Sequence, residues 1–178
     1  MAARNKKIKN ATVCTLNNLS FKSKLEKTTY TCLQELDLNP QYEPKTFVLW
    51  DSFNPLTPFY DKETNKQRDK RIAEGSNEKS ISLTLKKNKI LGIKYTPDFY
   101  LRYKDLDVYI ETKGIENDAF YLKKKLFIKY LDNVLLNTGQ HSIYFEVYTK
   151  KQLMQAVSIL KEYEQSISEH TNRNTVSS

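Results

Sequence analysis

The chain has 178 residues, 39% of them hydrophobic and 28% charged, and carries a formal net charge of +8 at pH 7. That length suits one domain with its own core, and the excess of Lys and Arg suits a polyanion, nucleic acid being the usual one. Four glycines supply no GxGxxG or Walker-type phosphate loop, two isolated cysteines with no CxxC or clustered His argue against zinc and a disulfide framework, and two histidines give no convincing material for a Ser/His/Asp or Cys/His triad.

Residues 11–16 read as a strand, Asn17-Asn18 as a tight turn and 19–21 as a short return strand. Ser23-Lys24-Leu25-Glu26 fits a capping box that opens a helix, with Leu25, Thr29, Cys32 and Leu36 at helical spacing. Asn39-Pro40 ends it, and 41–50 reads as a strand interrupted by Pro44. Residues 51–80 are the least legible. Pro55 and Pro58 mark a loop, and 61–74 is either a helix or a disordered arm. Residues 81–85 alternate as a strand, 86–88 turn, and 90–96 return into Pro97-Asp98.

Residues 99–103 alternate apolar and polar, Lys104-Asp105-Leu106-Asp107 can turn, and 108–111 is strand-like again. Glu116-Asn117-Asp118 offers caps for a helix with Phe120, Phe127, Tyr130, Leu131 and Val134 on one face, and Gly139 stops it. A strand follows at 142–148. Thr149-Lys150-Lys151-Gln152 is a second capping box, and Leu153, Val157 and Leu160 mark a terminal amphipathic helix. The order predicts an α/β fold, a central mixed sheet flanked by helices, over a single domain at 1–168 with a polar, disordered tail at 169–178. His141, ahead of a strand, and His170, in the tail, read as structural or solvated.

The chemistry concentrates in Tyr95-Thr96-Pro97-Asp98 and Ile110-Glu111-Thr112-Lys113-Gly114. Strand side chains alternate faces, so Tyr109, Glu111 and Lys113 point the same way, and Asp98 on the partner strand can come beside them. Two carboxylates and an ammonium suit phosphodiester hydrolysis. A hard cation neutralises charge developing on the phosphate and yields hydroxide from water, and Mg²⁺ prefers a few carboxylates plus water and substrate oxygens. A lysine beside them can orient the attacking water or stabilise charge. Acid-x-lysine alone is common on strands and reads as a solvated pair; the Pro-Asp on the adjoining strand turns the reading toward a site. Glu26 also has a local job, reaching back to the Ser23 amide. Glu35 and Glu43 read as solvated, and Tyr95 and Tyr100 as packing residues. The lysines at 123–125 are either a wet helix face or phosphate contacts.

These residues resemble the PD-(D/E)xK nuclease superfamily, and more closely the phage endonuclease I type of Holliday-junction resolvase and related small phage nucleases. One block is Phe21-Lys22-Ser23-Lys24-Leu25-Glu26 with its helix and Tyr42-Glu43; the other is Tyr95 to Phe99, Ile110 to Gly114 and the basic helix. The resemblance implies a restriction-endonuclease-like core with Asp98 and Glu111 as metal-binding carboxylates and the Thr112 carbonyl as a further ligand. Lys113 takes the lysine role, Glu26 completes the site as a further metal ligand that can hold a second ion, and residues at about 51–90 are an insertion in that core. It implies one or two Mg²⁺ or Mn²⁺ ions, a DNA substrate that includes branched forms, 5′-phosphate and 3′-hydroxyl ends, and a homodimer. Lys123, Lys124, Lys125 and Lys129 are then expected to meet phosphates flanking the cut.

The function expected is a metal-dependent DNA endonuclease, resolving Holliday junctions or other branched DNA. The same core serves transposition, restriction, repair and DNA trimming, and an inert DNA-binding or virion-associated protein is the alternative from another class. No apolar run is long enough to span a membrane, so no membrane partner is expected. A cytoplasmic location is expected, that of the host if the chain is phage-encoded.

Overall fold

A computed structural model of the chain describes residues 13–16, 18–114 and 118–176, the side chains of 165–176 excepted. The expectations placed on residues 11–12, Asn17, Glu116, Asn117 and the His170 side chain lie outside the described residues. In chain order the first elements are β1 (Cys14–Leu16), β2 (Leu19–Phe21), α1 (Lys24–Glu35), β3 (Gln41–Tyr42), β4 (Phe47–Trp50), β5 (Phe59–Lys62) and α2 (Asn65–Ala73). There follow β6 (Leu83–Lys86), β7 (Ile93–Tyr95), β8 (Phe99–Tyr103), β9 (Leu106–Thr112), α3 (Asp118–Thr138), β10 (Ser142–Val147) and α4 (Lys150–Val176).

The chain divides into two compact units, Met1–Phe47 together with Lys94–Ser178, and Val48–Ile93. The segment expected as an insertion lies inside the second. The first unit carries a four-stranded sheet in the order β10-β9-β8-β3. β9 and β10 run parallel, while β8 is antiparallel to both β9 and β3. The fold is therefore mixed α/β with a mixed sheet and four helices among the described residues.

Alternation along β8 and β9 sorts two faces. Phe99, Leu101, Val108 and Ile110 point one way into a core completed by Cys32 and Leu33 of α1 and by Leu153, Val157 and Leu160 of α4. Each such side chain, fully buried, contributes about 1.5–3 kcal/mol. Tyr100, Tyr109 and Glu111 point the other way, where Phe127 of α3 meets Tyr109 edge-on at 5.2 Å. That second face carries the polar chemistry. Gly139, at φ 73°, takes the left-handed conformation that ends α3.

In the second unit, β5 and β6 pair antiparallel. Thr64 and Gln67 cap α2 reciprocally. Arg71 pairs with the buried Glu63 and also donates to Ser76 Oγ and to the carbonyls of Glu78 and Ser80, tying down the loop after α2.

Four expectations are corrected. Residues 61–74 divide into the end of β5 and α2, because Thr64 caps the helix only after the strand has ended. The strands at 81–85 and 90–96 do not pair with each other: β6 takes β5 as partner, and β7 pairs with β4. Alternation sets the faces of a short strand but not its partner. The turn between β8 and β9 is only Lys104-Asp105, with Lys104 at φ 56°, because Leu106 is buried and opens β9. Helix α4 continues to Val176, through most of the segment expected as a tail. Among the described residues no helix is long and apolar enough to cross a membrane.

Candidate functional site

Phe99 stands opposite Ile110 in the β8–β9 ladder, so Asp98, one residue earlier, stands across from Glu111 on the same face. The Asp98 amide donates to Glu111 Oε2 at 3.3 Å. Asp98 Oδ2 accepts from both the Thr112 amide, at 2.8 Å, and the Thr112 hydroxyl, at 2.6 Å. Its other oxygen, Oδ1, accepts no hydrogen bond among the described residues, although Asp98 is only 9% exposed. Burial first, and then the Glu111 charge, pushes the Asp98 carboxyl up to about 7, against the lowering effect of the two Thr112 donors.

Glu111, 3% exposed, is held from several sides. The Tyr95 hydroxyl donates to Oε2 at 2.7 Å, and Lys113 Nζ pairs with Oε1. The Lys113 amide donates to the Val147 carbonyl at 2.9 Å, extending the β9–β10 pairing one residue, so alternation brings Lys113 to the Glu111 face. The Lys113 ammonium also lies 4.0 Å from the centroid of the Phe120 ring, in the first turn of α3. A strand residue presents its N–H and C=O to the same side, so the Thr112 carbonyl faces the Asp98 side as its amide does.

These groups floor a cavity of about 980 Å³ whose lining includes the lysines Lys22, Lys94, Lys113 and Lys123. The expected residues Asp98, Glu111, Thr112 and Lys113 thus come together. Glu26 lines the same cavity, but both its oxygens are engaged locally. Oε2 accepts from the Lys22 amide at 2.9 Å and the Tyr42 hydroxyl at 2.6 Å, and Oε1 from the Ser23 hydroxyl at 2.9 Å. Its expected reach to the Ser23 amide is therefore corrected by one residue. Ser23 remains the N-cap of α1, accepting from the Glu26 amide.

The four lysines of α3 part company. Lys123 lines the cavity, while Lys125 and Lys129 are exposed on other parts of the helix. Lys124 pairs with Glu146 of β10 at 2.6 Å and lies 5.2 Å from the Tyr121 ring centroid, so its ammonium is engaged within the fold.

Sequence reasoning missed the roles of Tyr95 and Glu43 in this site. Tyr95 reads as packing, yet its hydroxyl orients Glu111 and lies 3.1 Å from that of Tyr144. Its place three residues before Asp98 is the available signal. Glu43 reads as solvated, yet it lines the cavity, pairs with Lys22 and donates its amide to the Asp98 carbonyl at 2.8 Å. The β3–β8 pairing brings Glu43 there, beside Lys22 from just ahead of α1, and no local pattern announces it.

No protein-family model, curated protein or solved structure matches the chain. Among the described residues, no group of three or more His, Cys, Asp and Glu side chains is gathered to hold an ion by itself. The donor set is two carboxylates and a carbonyl, which suits Mg²⁺, since that ion is usually bound by one or two carboxylates plus water and substrate phosphates. The uncompensated Asp98 Oδ1 and the mutual repulsion of Asp98 and Glu111 are what a divalent cation would relieve.

Proposed function

We propose that the chain is a metal-dependent DNA endonuclease with a restriction-endonuclease-like core, of the PD-(D/E)xK type. The observation that carries this reading is Asp98 across the ladder from Glu111, both buried, with Lys113 paired to Glu111 in a cavity rimmed by lysines. Asp98 and Glu111, with the Thr112 carbonyl, would hold Mg²⁺ or Mn²⁺. A bound ion supplies Lewis acidity and a more acidic water.

The remaining work falls to the chain's own residues. Lys113 keeps a cationic donor beside the reacting phosphate, where it stabilises developing charge or positions the attacking water. Phe120 and Glu111 restrict its ammonium from two sides. Thr112 fixes Asp98, and Tyr95 fixes Glu111, so both carboxylates are oriented before substrate arrives. Lys94 and Lys123, in the cavity wall, draw the phosphate backbone in. Glu26 is a carboxylate of the same cavity whose first duty is to α1. As a homodimer, the protein would present two such cavities to a branched substrate.

The test incubates wild type and Lys113→Ala, each with Mg²⁺ or Mn²⁺, with duplex, single-stranded, flap and four-way-junction DNA. Cleavage by wild type alone, with circular dichroism showing Lys113→Ala folded, supports the enzyme. The preferred DNA distinguishes a junction resolvase from a nuclease of transposition, restriction, repair or trimming. Binding without cleavage would instead favour an inert DNA-binding protein.

A further inference from the structure

Two residues before Glu111 on the same sheet face, Tyr109 borders a second cavity of about 410 Å³, lined also by Gln41, Lys45, Phe47, Tyr100 and Asp107. Tyr100 is the ladder partner of Tyr109, with ring centroids 5.4 Å apart, and Phe47 meets Tyr109 edge-on at 5.7 Å. Pro97 forms part of its wall. Thr46 and Thr96, whose hydroxyls bond at 2.7 Å, line the first cavity instead. The chain segments 44–47 and 95–98 therefore contribute to both cavities.

The polar groups of the second cavity are few and specific. Asp107 Oδ1 accepts from the Tyr100 hydroxyl at 2.9 Å and from Arg102 at 2.7 Å, while Oδ2 accepts from no described residue. The Lys45 side chain is exposed, with its ammonium 5.0 Å from the Phe47 ring centroid. The volume falls in the range of small-ligand sites, about 300–1,000 Å³. Aromatic rings offer stacking to the π-face of any base, a carboxylate accepts from an exocyclic amino group, and a lysine pairs with phosphate.

We infer that this second cavity receives one unstacked base of the DNA strand whose phosphate lies at Asp98 and Glu111, an inference that rests on the nuclease reading. Same-face residues on a strand are about 7 Å apart, so one strand can engage Tyr109 and Glu111 together. Such a pocket favours DNA that has an unpaired base beside the cut, as flaps, branch points and single strands do, because a fully paired base must first be unstacked.

The experiment measures DNA affinity without divalent ions for wild type, Tyr100→Leu and Tyr100→Phe, on a single strand and on the matching duplex. Photocrosslinking of 4-thiothymidine walked along the strand accompanies it. Tyr100→Leu should bind the single strand about tenfold or more weakly, as loss of a base–aromatic stack implies. It should leave duplex binding unchanged, and Tyr100→Phe, which keeps the ring, should stay near wild type. Crosslinks should reach Tyr100 or Lys45 from one nucleotide position. Equal single-strand affinity of wild type and Tyr100→Leu, equal losses in Leu and Phe variants, or crosslinks mapping only elsewhere would overturn this inference while leaving the nuclease reading standing. Failure of wild type to bind any DNA would overturn both.

Discussion

At Asp98, burial and the Glu111 charge favour the neutral acid, while two Thr112 donors favour the carboxylate, and the carboxyl settles at about 7 instead of 3.8. The folded value lies above the unfolded one, so this group's contribution to stability is fully present below about pH 4 and is lost as pH rises through about 7. A divalent ion needs the ionised form, so its binding should strengthen about tenfold per pH unit below that value and level off above it. Calorimetric titration with Mn²⁺ across this range checks it, and a flat profile would remove Asp98 from the ligand set. Tyr95→Phe deletes only the hydroxyl that orients Glu111. We expect about 10–100-fold weaker Mn²⁺ affinity or slower cleavage, with the melting temperature little changed. An unaffected Mn²⁺ affinity and rate would reduce Tyr95 to packing. Asp98, Glu111 and Lys113 were legible in the sequence because strand alternation needs only their spacing. The Tyr95 hydroxyl and Glu43 were not, because their roles depend on where other strands lie.

Among the elements, α1, β9 and α3 each contribute side chains to the cavity wall. The N-terminus of α1 binds Ser23 and Glu26 into one hydrogen-bonded group that also takes in Lys22 and Tyr42. Ser23→Ala should cost about 1 kcal/mol in urea unfolding, the usual loss for an N-cap. A silent substitution would mean that Glu26 holds the helix start unaided. Long periodic elements, α1, α3 and β8–β9, could be read from the sequence because many residues repeat one pattern. Short strands could not be paired. β5 has four residues and β7 three, too few for an alternation that names a partner. The turn at Lys104-Asp105 was misread as longer because Leu106 and Asp107 alternate as well in a strand as in a turn.

For the whole molecule, the charge of +8 supplies the long-range attraction that a DNA substrate would feel. Its lysines are not equivalent. If DNA lies over the cavity and α3, Lys123→Ala and Lys125→Ala should each lower the salt slope of binding by about 0.9 for every phosphate left unneutralised. Lys124→Ala should instead lower the melting temperature, because it leaves Glu146 without the cation that pairs with it. Equal salt slopes for all three variants and wild type would place the DNA elsewhere.

Everything proposed here turns on Asp98, Glu111 and Lys113 breaking phosphodiester bonds together with a divalent ion. Cleavage of end-labelled DNA by wild type, Asp98→Asn and Lys113→Ala, with Mg²⁺ or Mn²⁺ and with a chelator, decides it. Wild type with the ion should give 5′-phosphate and 3′-hydroxyl ends, and neither variant, nor wild type with the chelator, should give any. Folded wild type that leaves every DNA form intact with both ions, or variants that cut as fast as wild type, would contradict it.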